Sequence, residues 1–346
     1  MPKRMSYKRA GVDIDNADAA KRAMAESLKT KNPLVLNAFG AFASLLDGRF
    51  PEYAHPVLVC KTEEPGSKQL LAFRFHRIEG ICFDLINHLI NDIIVMGARP
   101  LFVQDLIICG KLESKTVKLI VDTMAKACRA QGCVLTGGET SEQPGVLAPG
   151  VYVLGASGMG VVEKSRILDG STIEEGDRVI ALASNGLHTN GYSLVRALMA
   201  KNPVITDAKI DGKPFLDVIL RPHLCYYPVV KDLLGTAGLT GLAHITGGGI
   251  EGNLNRILPN TLDACIDASA IRVLPVFSFI KQQGNVTEAD MRKTYNLGVG
   301  MIAVVKPDAQ EEILRHIKAQ DCAAYAIGRI VRGSGKVVME GKLQWK

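Results

Sequence analysis

The chain has 346 residues, which exceeds the roughly 250 to 300 at which single hydrophobic cores usually stop growing, so we expect two domains. Hydrophobic residues make up 47% and charged residues 22% of the sequence, a balance that excludes disorder, collagen and a coiled coil. The net charge of +6 is spread along the chain and aromatic residues make up only 5%, which argues against a nucleic-acid partner and favours small anionic ligands such as phosphate esters.

No export or membrane signal is visible. The basic N-terminus runs into acidic residues where a signal peptide needs an apolar stretch. The longest uncharged run, 143–162, contains prolines and glycines and alternates like paired strands, so it is not a membrane helix. The eight cysteines show neither CxxC pairs nor zinc spacing. We therefore expect a cytoplasmic protein with reduced cysteines and no membrane partner.

The first half of the chain alternates strands and helices. Strands are predicted over 56–60 and 70–75, on either side of the turn TEEPGSK at 62–68. A helix over 84–95 follows, with one apolar side and a polar arc of about 140° that holds no Lys or Arg. A merely solvated face would usually mix both signs, so we expect this arc to line a cleft. Its members are Asp84, Asn87, His88, Asn91 and Asp92.

A strand over 101–109, a helix over 114–131 and a strand over 133–135 lead into TGGET at 136–140. The charged, turn-rich stretch 163–177 is the best candidate for a domain boundary, which predicts domains at 1–170 and 171–346. Beyond it, a strand over 178–183 leads into the turn SNGLHTNGYS at 184–193, and a strand ending near His244 enters TGGG. The fold class is α/β (α+β), with a mixed sheet in the N-terminal domain and a sheet flanked by helices in the C-terminal domain.

Two glycine motifs, TGGET and TGGG, each follow a strand-like run. Glycines at such junctions let backbone N–H groups turn inward and form an anion site without a lysine. A tight turn with no ligand is the alternative for either motif alone. The two motifs together with SNGLHTNG favour phosphate binding.

Five acidic residues come from separate elements and would converge near a glycine loop. Hard oxygen ligands in such an arrangement suit Mg²⁺ bound to a nucleotide. Taken singly, each is explained as well by a helix cap or a surface charge. Asp92 and Glu139 are the strongest candidates, and the full set is Glu63, Asp84, Asp92, Asp105 and Glu139.

Histidines supply the other candidate chemistry. His188 lies between Asn185 and Asn190 in a glycine-bounded turn, where an exposed imidazole can touch a substrate. A loop histidine that bonds backbone is an equally open interpretation. His88 is either a ligand or the partner of a helix carboxylate, and His244 is expected to be structural. Neither a Ser/His/Asp nor a Cys/His order is recognisable, and GxxxxGK[ST] is absent.

Motifs distributed over the whole chain resemble the aminoimidazole ribonucleotide synthetase family, also called phosphoribosylformylglycinamidine cyclo-ligase. They include DLINHLINDIIVMGARPLF at 84–102, CVLTGGETSEQPG at 133–145, SNGLHTNGYSLVR at 184–196 and HITGGGIEGNLNRILP at 244–259. The resemblance implies ring closure of formylglycinamidine ribonucleotide with ATP and Mg²⁺, giving aminoimidazole ribonucleotide, ADP and phosphate. It also implies a homodimer whose N-terminal domains build a shared β-barrel.

The resemblance assigns roles position by position. Glu63, Asp92 and Glu139 would hold the metal, and Lys68, His188 and Asp92 would be catalytic. The remaining ATP contacts would be Asn37, Phe39, Gly40, Ser67, Lys68, Gly137 and Gly138. The phosphoribosyl substrate would contact His188, Asn190, Thr246, Gly247, Gly248 and Gly249.

The chain departs from the family at one motif. Where the family usually reads DGVGTK, this chain reads EEPGSK at 63–68. Glu63 keeps the carboxylate but moves it by one methylene, and Pro65 fixes its own φ and disfavours helical geometry at Glu64. The alternative function is therefore a catalytically altered or silent nucleotide-binding paralogue. Selenophosphate synthetase and thiamine-phosphate kinase, of the same ATP-binding superfamily, are disfavoured by HTNGYSLVR and DGKP.

Overall fold

The computed structural model describes residues 19, 22–37 and 40–345. Their N-terminal part forms one four-stranded sheet in the order β1–β4–β2–β3. Pairings of β1 with β4 and of β4 with β2 are antiparallel, and that of β2 with β3 is parallel, so the predicted mixed sheet is confirmed. The strands are β1 (Pro56–Glu63), β2 (Arg99–Cys109), β3 (Val134–Glu142) and β4 (Tyr152–Glu163).

This sheet is open within the described chain, with β1 and β3 at its edges. A barrel would therefore need strands from a second copy of the chain. Three helices accompany the sheet, namely α1 (Lys68–Arg74), α2 (Ile78–Ile94) and α3 (Ser114–Ala130). The strand predicted over 70–75 is wrong, because a short apolar run does not distinguish a strand from a buried helix, and here the run forms α1.

The C-terminal part forms a six-stranded sheet in the order β12–β9–β11–β5–β10–β8, antiparallel except for the parallel pair of β12 and β9. Its strands are β5 (Arg178–Ala183), β8 (Leu239–His244), β9 (Leu262–Asp267), β10 (Val299–Val305), β11 (Ala324–Arg332) and β12 (Val337–Glu340), and a small hairpin joins β6 (Lys209–Ile210) to β7 (Lys213–Pro214). The helices are α4 (Tyr192–Lys201), α5 (Phe215–Ile219), α6 (Tyr227–Val230), α7 (Gly249–Leu254), α8 (Pro275–Gly284), α9 (Glu288–Thr294) and α10 (Gln310–Ala319).

The polar arc of α2 does not line an open cleft as expected. Asp84, Asn87 and Asn91 are buried, and each bonds the backbone of residues 221–226 in the second domain. Since buried polar groups need partners, the arc acts as a hydrogen-bonded seam between the domains. The bonds run from Asn87 Nδ2 to the carbonyl of His223 (2.7 Å), from Asn91 Nδ2 to that of Leu224 (2.8 Å), from the Tyr226 N–H to Asn91 Oδ1 (2.8 Å) and from the His223 N–H to Asp84 Oδ1 (2.7 Å).

The two domains also share apolar packing. One buried cluster runs from α2 and α3 into β8, β10 and α10 of the second sheet. Burial at about 25 cal/mol per Å² therefore stabilises the domain arrangement as well as each domain. None of the described helices has the length and apolarity needed to cross a membrane.

Candidate active site

A cavity of about 1330 Å³ lies beside the N-terminal sheet. It is lined by parts of all four strands of that sheet and by the loop 40–44. Five residues predicted from the sequence as ATP contacts lie on it, namely Asn37, Gly40, Gly137, Gly138 and Glu139. Phe39, predicted with them, lies outside the described residues.

The loop at the cavity mouth is held by its own side chains. Asn37 Nδ2 donates to the carbonyl of Ala43 at 2.8 Å, and Asn37 Oδ1 accepts from the Leu45 N–H at 2.8 Å. Ser44 Oγ donates to the carbonyl of Thr136 in β3 at 3.1 Å. Asn37 therefore shapes the loop. This loop presents Phe42, whose ring is fully exposed at the cavity.

TGGET lies inside β3 and not at the strand-to-loop junction that the sequence predicted. Gly138 pairs with Asp105 of β2, and Glu139 pairs with Leu106. A Cβ on Gly138 would lie 1.9 Å from the Asp105 carbonyl oxygen, so only glycine permits this strand approach. The motif therefore serves close packing of β3 on β2 and positions Glu139 at the cavity.

Asp105 and Glu139 come from neighbouring strands that line the cavity, but the register pairs Glu139 with Leu106, so strand alternation places the two side chains on opposite faces of the sheet. Asp105 is 7% exposed, and burial raises its pKa to about 7, with the charge of Glu139 adding to the effect. Neither carboxylate forms a salt bridge with a basic residue in the described part of the chain. Glu139, exposed at the cavity and without a salt bridge there, is a hard oxygen donor of the kind that a divalent cation binds. The sequence analysis had Asp105 among its acidic set but did not favour it.

The predicted metal trio of Glu63, Asp92 and Glu139 does not share an environment. Lys61 Nζ lies 3.3 Å from Glu63 Oε1 and 3.0 Å from Asp92 Oδ2. Glu63 and Asp92 thus already have a cation between them, and in this arrangement they do not fit a metal ion. Lys61 was not among the predicted site residues, although strand alternation places it on the same face of β1 as Glu63.

Asp92 also holds a histidine. Its Oδ1 lies 2.7 Å from Nδ1 of His244. Burial alone would raise the pKa of Asp92. The contacts with His244 and Lys61 outweigh burial and hold this pKa below its usual range. His244, expected to be structural, is therefore joined to a predicted catalytic residue.

Lys68 is buried and not free to contact phosphate, contrary to the predicted role. Its Nζ donates to Asp84 Oδ1 at 2.8 Å and to the carbonyls of His188 at 3.0 Å and Arg221 at 2.7 Å. These bonds use all three donors of the ammonium. Burial lowers the pKa of Lys68. Burial also raises the pKa of Asp84 to about 6, although the nearby charge of Lys68 lowers it. Lys68 therefore ties α1 to two loops of the second domain, while the neighbouring Ser67 is half-buried.

The structure rules out the first of the two interpretations of His188, an imidazole exposed to solvent. His188 is 2% exposed and has positive φ (60°), and its ring stacks on that of His223 with 3.8 Å between the centroids. Neither of its ring nitrogens has a hydrogen-bond partner among the described residues. Burial lowers the pKa of both histidines well below the usual value. The imidazole therefore lies uncharged in the interior.

TGGG follows β8 and leads into α7, as predicted. Gly248 and Gly249 have positive φ (97° and 65°), and a Cβ on Gly249 would lie 1.8 Å from the Arg292 carbonyl oxygen. A Cβ on Gly247 would lie 3.2 Å from Asn190 Nδ2. Asn190 and the glycine loop, predicted to share the substrate, therefore lie side by side, and Asn190 Oδ1 is buried without a partner.

Two consecutive segments of the chain match a known family. Residues 55–162 match "AIR synthase related protein, N-terminal domain", and residues 174–340 match the corresponding C-terminal domain. The chain is 40% identical to phosphoribosylformylglycinamidine cyclo-ligase of Methylobacillus flagellatus, with 96% of each protein covered. It is 38% identical to the protein of the same name from Geobacillus thermodenitrificans, with 95% of this chain and 96% of the relative covered.

Solved structures of low sequence identity share the fold. HypE of Escherichia coli has a TM-score of 0.67 at 19% identity, with 94% of each chain covered. Thiamine-monophosphate kinase of Stenotrophomonas maltophilia has a TM-score of 0.62 at 17% identity, covering 94% of this chain and 96% of the other. A hydrogenase maturation protein HypE solved in complex with ATP has a TM-score of 0.63 at 18% identity, covering 98% and 92%.

Proposed function

This chain belongs to the AIR synthase family, and we propose that it catalyses the ATP-dependent ring closure of formylglycinamidine ribonucleotide to aminoimidazole ribonucleotide, with release of ADP and phosphate. The observation that carries the proposal is the 40% identity, over 96% of each chain, to a relative named phosphoribosylformylglycinamidine cyclo-ligase. The alternative of a silent paralogue is not favoured by these comparisons, because every curated relative described above carries the cyclo-ligase name.

The reaction needs activation of a formyl oxygen. The γ-phosphoryl group of ATP moves to that oxygen, an amidine nitrogen attacks the formyl carbon, and the carbon–oxygen bond breaks to release phosphate. Phosphoryl transfer depends mainly on positioning and charge neutralisation, so the protein needs no covalent nucleophile. The absence of a recognisable nucleophile motif from the sequence agrees with this chemistry.

We assign ATP to the cavity of about 1330 Å³ beside β3. Glu139, exposed at the cavity, would hold Mg²⁺, which neutralises phosphate charge when bound. The exposed ring of Phe42 is available for stacking on the base. Asn190 and Thr246–Gly249 would receive the ribonucleotide, because Asn190 has a buried oxygen without a partner beside Gly247.

Lys68 and His188 act in this scheme as positioning residues. The bond from Lys68 Nζ to the His188 carbonyl anchors the turn that carries Asn190. Asp92 similarly orients His244 at the end of β8, directly before the glycine loop. Mg²⁺ dependence, a homodimer and a cytoplasmic location stay predictions.

The test is a coupled assay on the pure protein with ATP, Mg²⁺ and formylglycinamidine ribonucleotide. We expect ADP release that depends on the ribonucleotide, with formation of aminoimidazole ribonucleotide. Thiamine monophosphate should neither replace the substrate nor compete with it. Glu139→Gln should lose turnover, whereas Glu311→Gln, an exposed change on α10, should not.

Two outcomes would contradict the proposal. Folded protein that never releases ADP in response to the ribonucleotide would remove the cyclo-ligase function. Wild type that binds ATP but is inert, with activity restored by the triple change Glu63→Asp, Glu64→Gly and Pro65→Val, would establish the silent paralogue.

A further inference from the structure

Four of the seven histidines of the chain form one buried cluster. They come from four places in the sequence: His88 from α2, His188 and His223 from loops of the second domain, and His244 from the end of β8. The ring centroids of His88, His223 and His244 lie 5.0 to 5.3 Å from one another. The reaction described above uses none of these rings directly.

His223 and His244 point their Nε2 atoms toward each other. Nε2 of His223 and Nε2 of His244 are 2.9 Å apart. A ring nitrogen of His188 lies within 4.8 Å of both. Two nitrogens bound to one tetrahedral zinc ion at 2.0 to 2.1 Å would be about 3.3 Å apart, so closure around an ion needs shifts on the order of 1 Å.

The opposite nitrogens of the same two rings are held by oxygen atoms. Nδ1 of His244 lies 2.7 Å from Asp92 Oδ1, and Nδ1 of His223 lies 3.4 Å from Thr189 Oγ1. Histidines that bind metals usually donate their other ring N–H to such a carboxylate or oxygen, which fixes the tautomer. The two Nε2 atoms then face each other at hydrogen-bond distance, and an ion between them would replace that contact.

His188 supplies an independent observation. Both of its ring nitrogens are buried and have no hydrogen-bond partner within the part of the chain that the structure describes. A buried polar group without a partner costs about 1 to 3 kcal/mol, so its retention points to a ligand.

We propose that His188, His223 and His244 form a buried binding site for one divalent transition-metal ion of the zinc class, separate from the ATP-binding cavity. Three imidazole nitrogens suit Zn²⁺, Co²⁺, Ni²⁺ or Cu²⁺ and do not suit Mg²⁺, which takes oxygen ligands. Because the ligands come from two loops and a strand end of the second domain, the ion would fasten these three segments to one another beside α2.

Cobalt is the direct probe, because its visible absorption reports nitrogen coordination. Full-length wild-type protein is stripped with a chelator and titrated with Co²⁺ in the absence of ATP and substrate. Zinc content is measured separately by mass spectrometry after equilibrium dialysis. We expect one cobalt ion per chain, displaced by one zinc ion, and a higher melting temperature with zinc. Wild type without a cobalt band would overturn the proposal, and this measurement depends on no variant.

Variants identify the ligands. His223→Gln, His244→Gln and His188→Gln should each weaken cobalt binding at least tenfold, which corresponds to about 1.4 kcal/mol. His55→Gln is the matched control, because His55 is exposed and distant in sequence, and it should bind as wild type does. Equal loss in His55→Gln would show surface binding and overturn the proposal.

A second ligand set must be distinguished. His88, Asp92 and His244 also bring ligand atoms within 4.8 Å of one another. Under the proposal His88→Gln keeps the cobalt band and His188→Gln loses it. The opposite result would assign the ion to the other set. Since the measurement needs neither ATP nor ribonucleotide, failure of the cyclo-ligase function would leave its outcome unaffected.

Discussion

Lys61 and Asp92 form an ion pair between β1 and α2, with 3.0 Å from Nζ to Oδ2, and the same ammonium lies 3.3 Å from Glu63. The charge that a metal would supply to these carboxylates is thus supplied by a side chain. Although partial burial disfavours its charge, pairing with Asp92 and Glu63 raises the pKa of Lys61. The pair therefore remains ionised through the neutral range.

Replacing Lys61 with methionine should convert this pair into a cation site. Without the ammonium, two carboxylates face each other uncompensated, and a divalent cation relieves their repulsion. We expect Mg²⁺ affinity without nucleotide to rise about tenfold, or about 1.4 kcal/mol, measured by calorimetry. Lys115→Met, at an exposed position of α3, is the control. Unchanged affinity in Lys61→Met would show that the carboxylates do not compete for cations.

Lys68→Met should destabilise the fold more than it affects nucleotide binding. The change removes the ammonium that lowers the pKa of Asp84 and leaves a buried carboxyl that is costly to ionise, whose Oδ2 has no partner among the described residues. Removal of one member of a buried ion pair costs about 3 to 5 kcal/mol. Urea unfolding measures this loss, and the double variant Lys68→Met/Asp84→Asn should regain most of it. Native stability combined with loss of ATP affinity would instead restore the role of Lys68 as a phosphate contact.

Local sequence patterns predicted the helices and strands better than they predicted the burial and the partners of individual side chains. Periodicity identified α2, and the alternation of Arg178–Ala183 identified β5, because both signals lie within a few residues. The burial of Asp84 could not be predicted, since the N–H that it accepts belongs to His223, 139 positions away. TGGET was misplaced because glycines that permit close strand packing look like a loop in sequence.

In the candidate site, too, residues within recognised motifs were predicted and residues outside them were not. Asn190 and TGGG were predicted together and lie side by side, since the motif resemblance carries spatial information that composition lacks. The sequence analysis missed the histidine cluster because His223 lies in no recognised motif. Its only local signal is position between Pro222 and Leu224, which says nothing about three distant imidazoles.

Stability should depend on pH through Asp105. Its pKa in the folded chain is about 7, above the ordinary value of 3.8, mainly because of burial. Titratable groups near it are Glu139 of β3, Cys82 of α2 and Cys128 of α3. The contribution of Asp105 to the free energy of unfolding is fully present below about pH 4 and is lost as pH rises through about 7. The loss amounts to at most about 4 kcal/mol, from roughly three pKa units at 1.36 kcal/mol each.

Asp105→Asn should remove this dependence. Urea unfolding in chelator, at several values between about pH 4.5 and 7.5, should show wild-type stability falling more steeply than that of the variant. Glu311→Gln, which removes a carboxylate from the exposed surface of α10, is the control and should unfold in parallel with wild type. Parallel curves for wild type and Asp105→Asn would contradict the assigned pKa.

The glycine loop offers a prediction that separates binding from folding. In Gly247→Ala the new Cβ would lie 3.2 Å from Asn190 Nδ2, the end of a side chain that can move. Displacing Asn190 should raise KM for the ribonucleotide about tenfold, a cost of about 1.4 kcal/mol, with KM for ATP unchanged. Steady-state kinetics with each substrate varied in turn measures both constants.

Two neighbouring glycines supply the controls for Gly247→Ala. Gly249→Ala would strain a residue at φ 65° and place its Cβ 1.8 Å from the Arg292 carbonyl, so we expect a stability loss above about 2 kcal/mol. Gly252→Ala meets nothing within 4 Å on the exposed side of α7 and should change stability by less than about 1 kcal/mol, in the stabilising direction. A stability loss in Gly247→Ala as large as that in Gly249→Ala would show that Gly247 serves packing. KM values in Gly247→Ala equal to those of Gly252→Ala, for both substrates, would show that Asn190 does not contact the ribonucleotide.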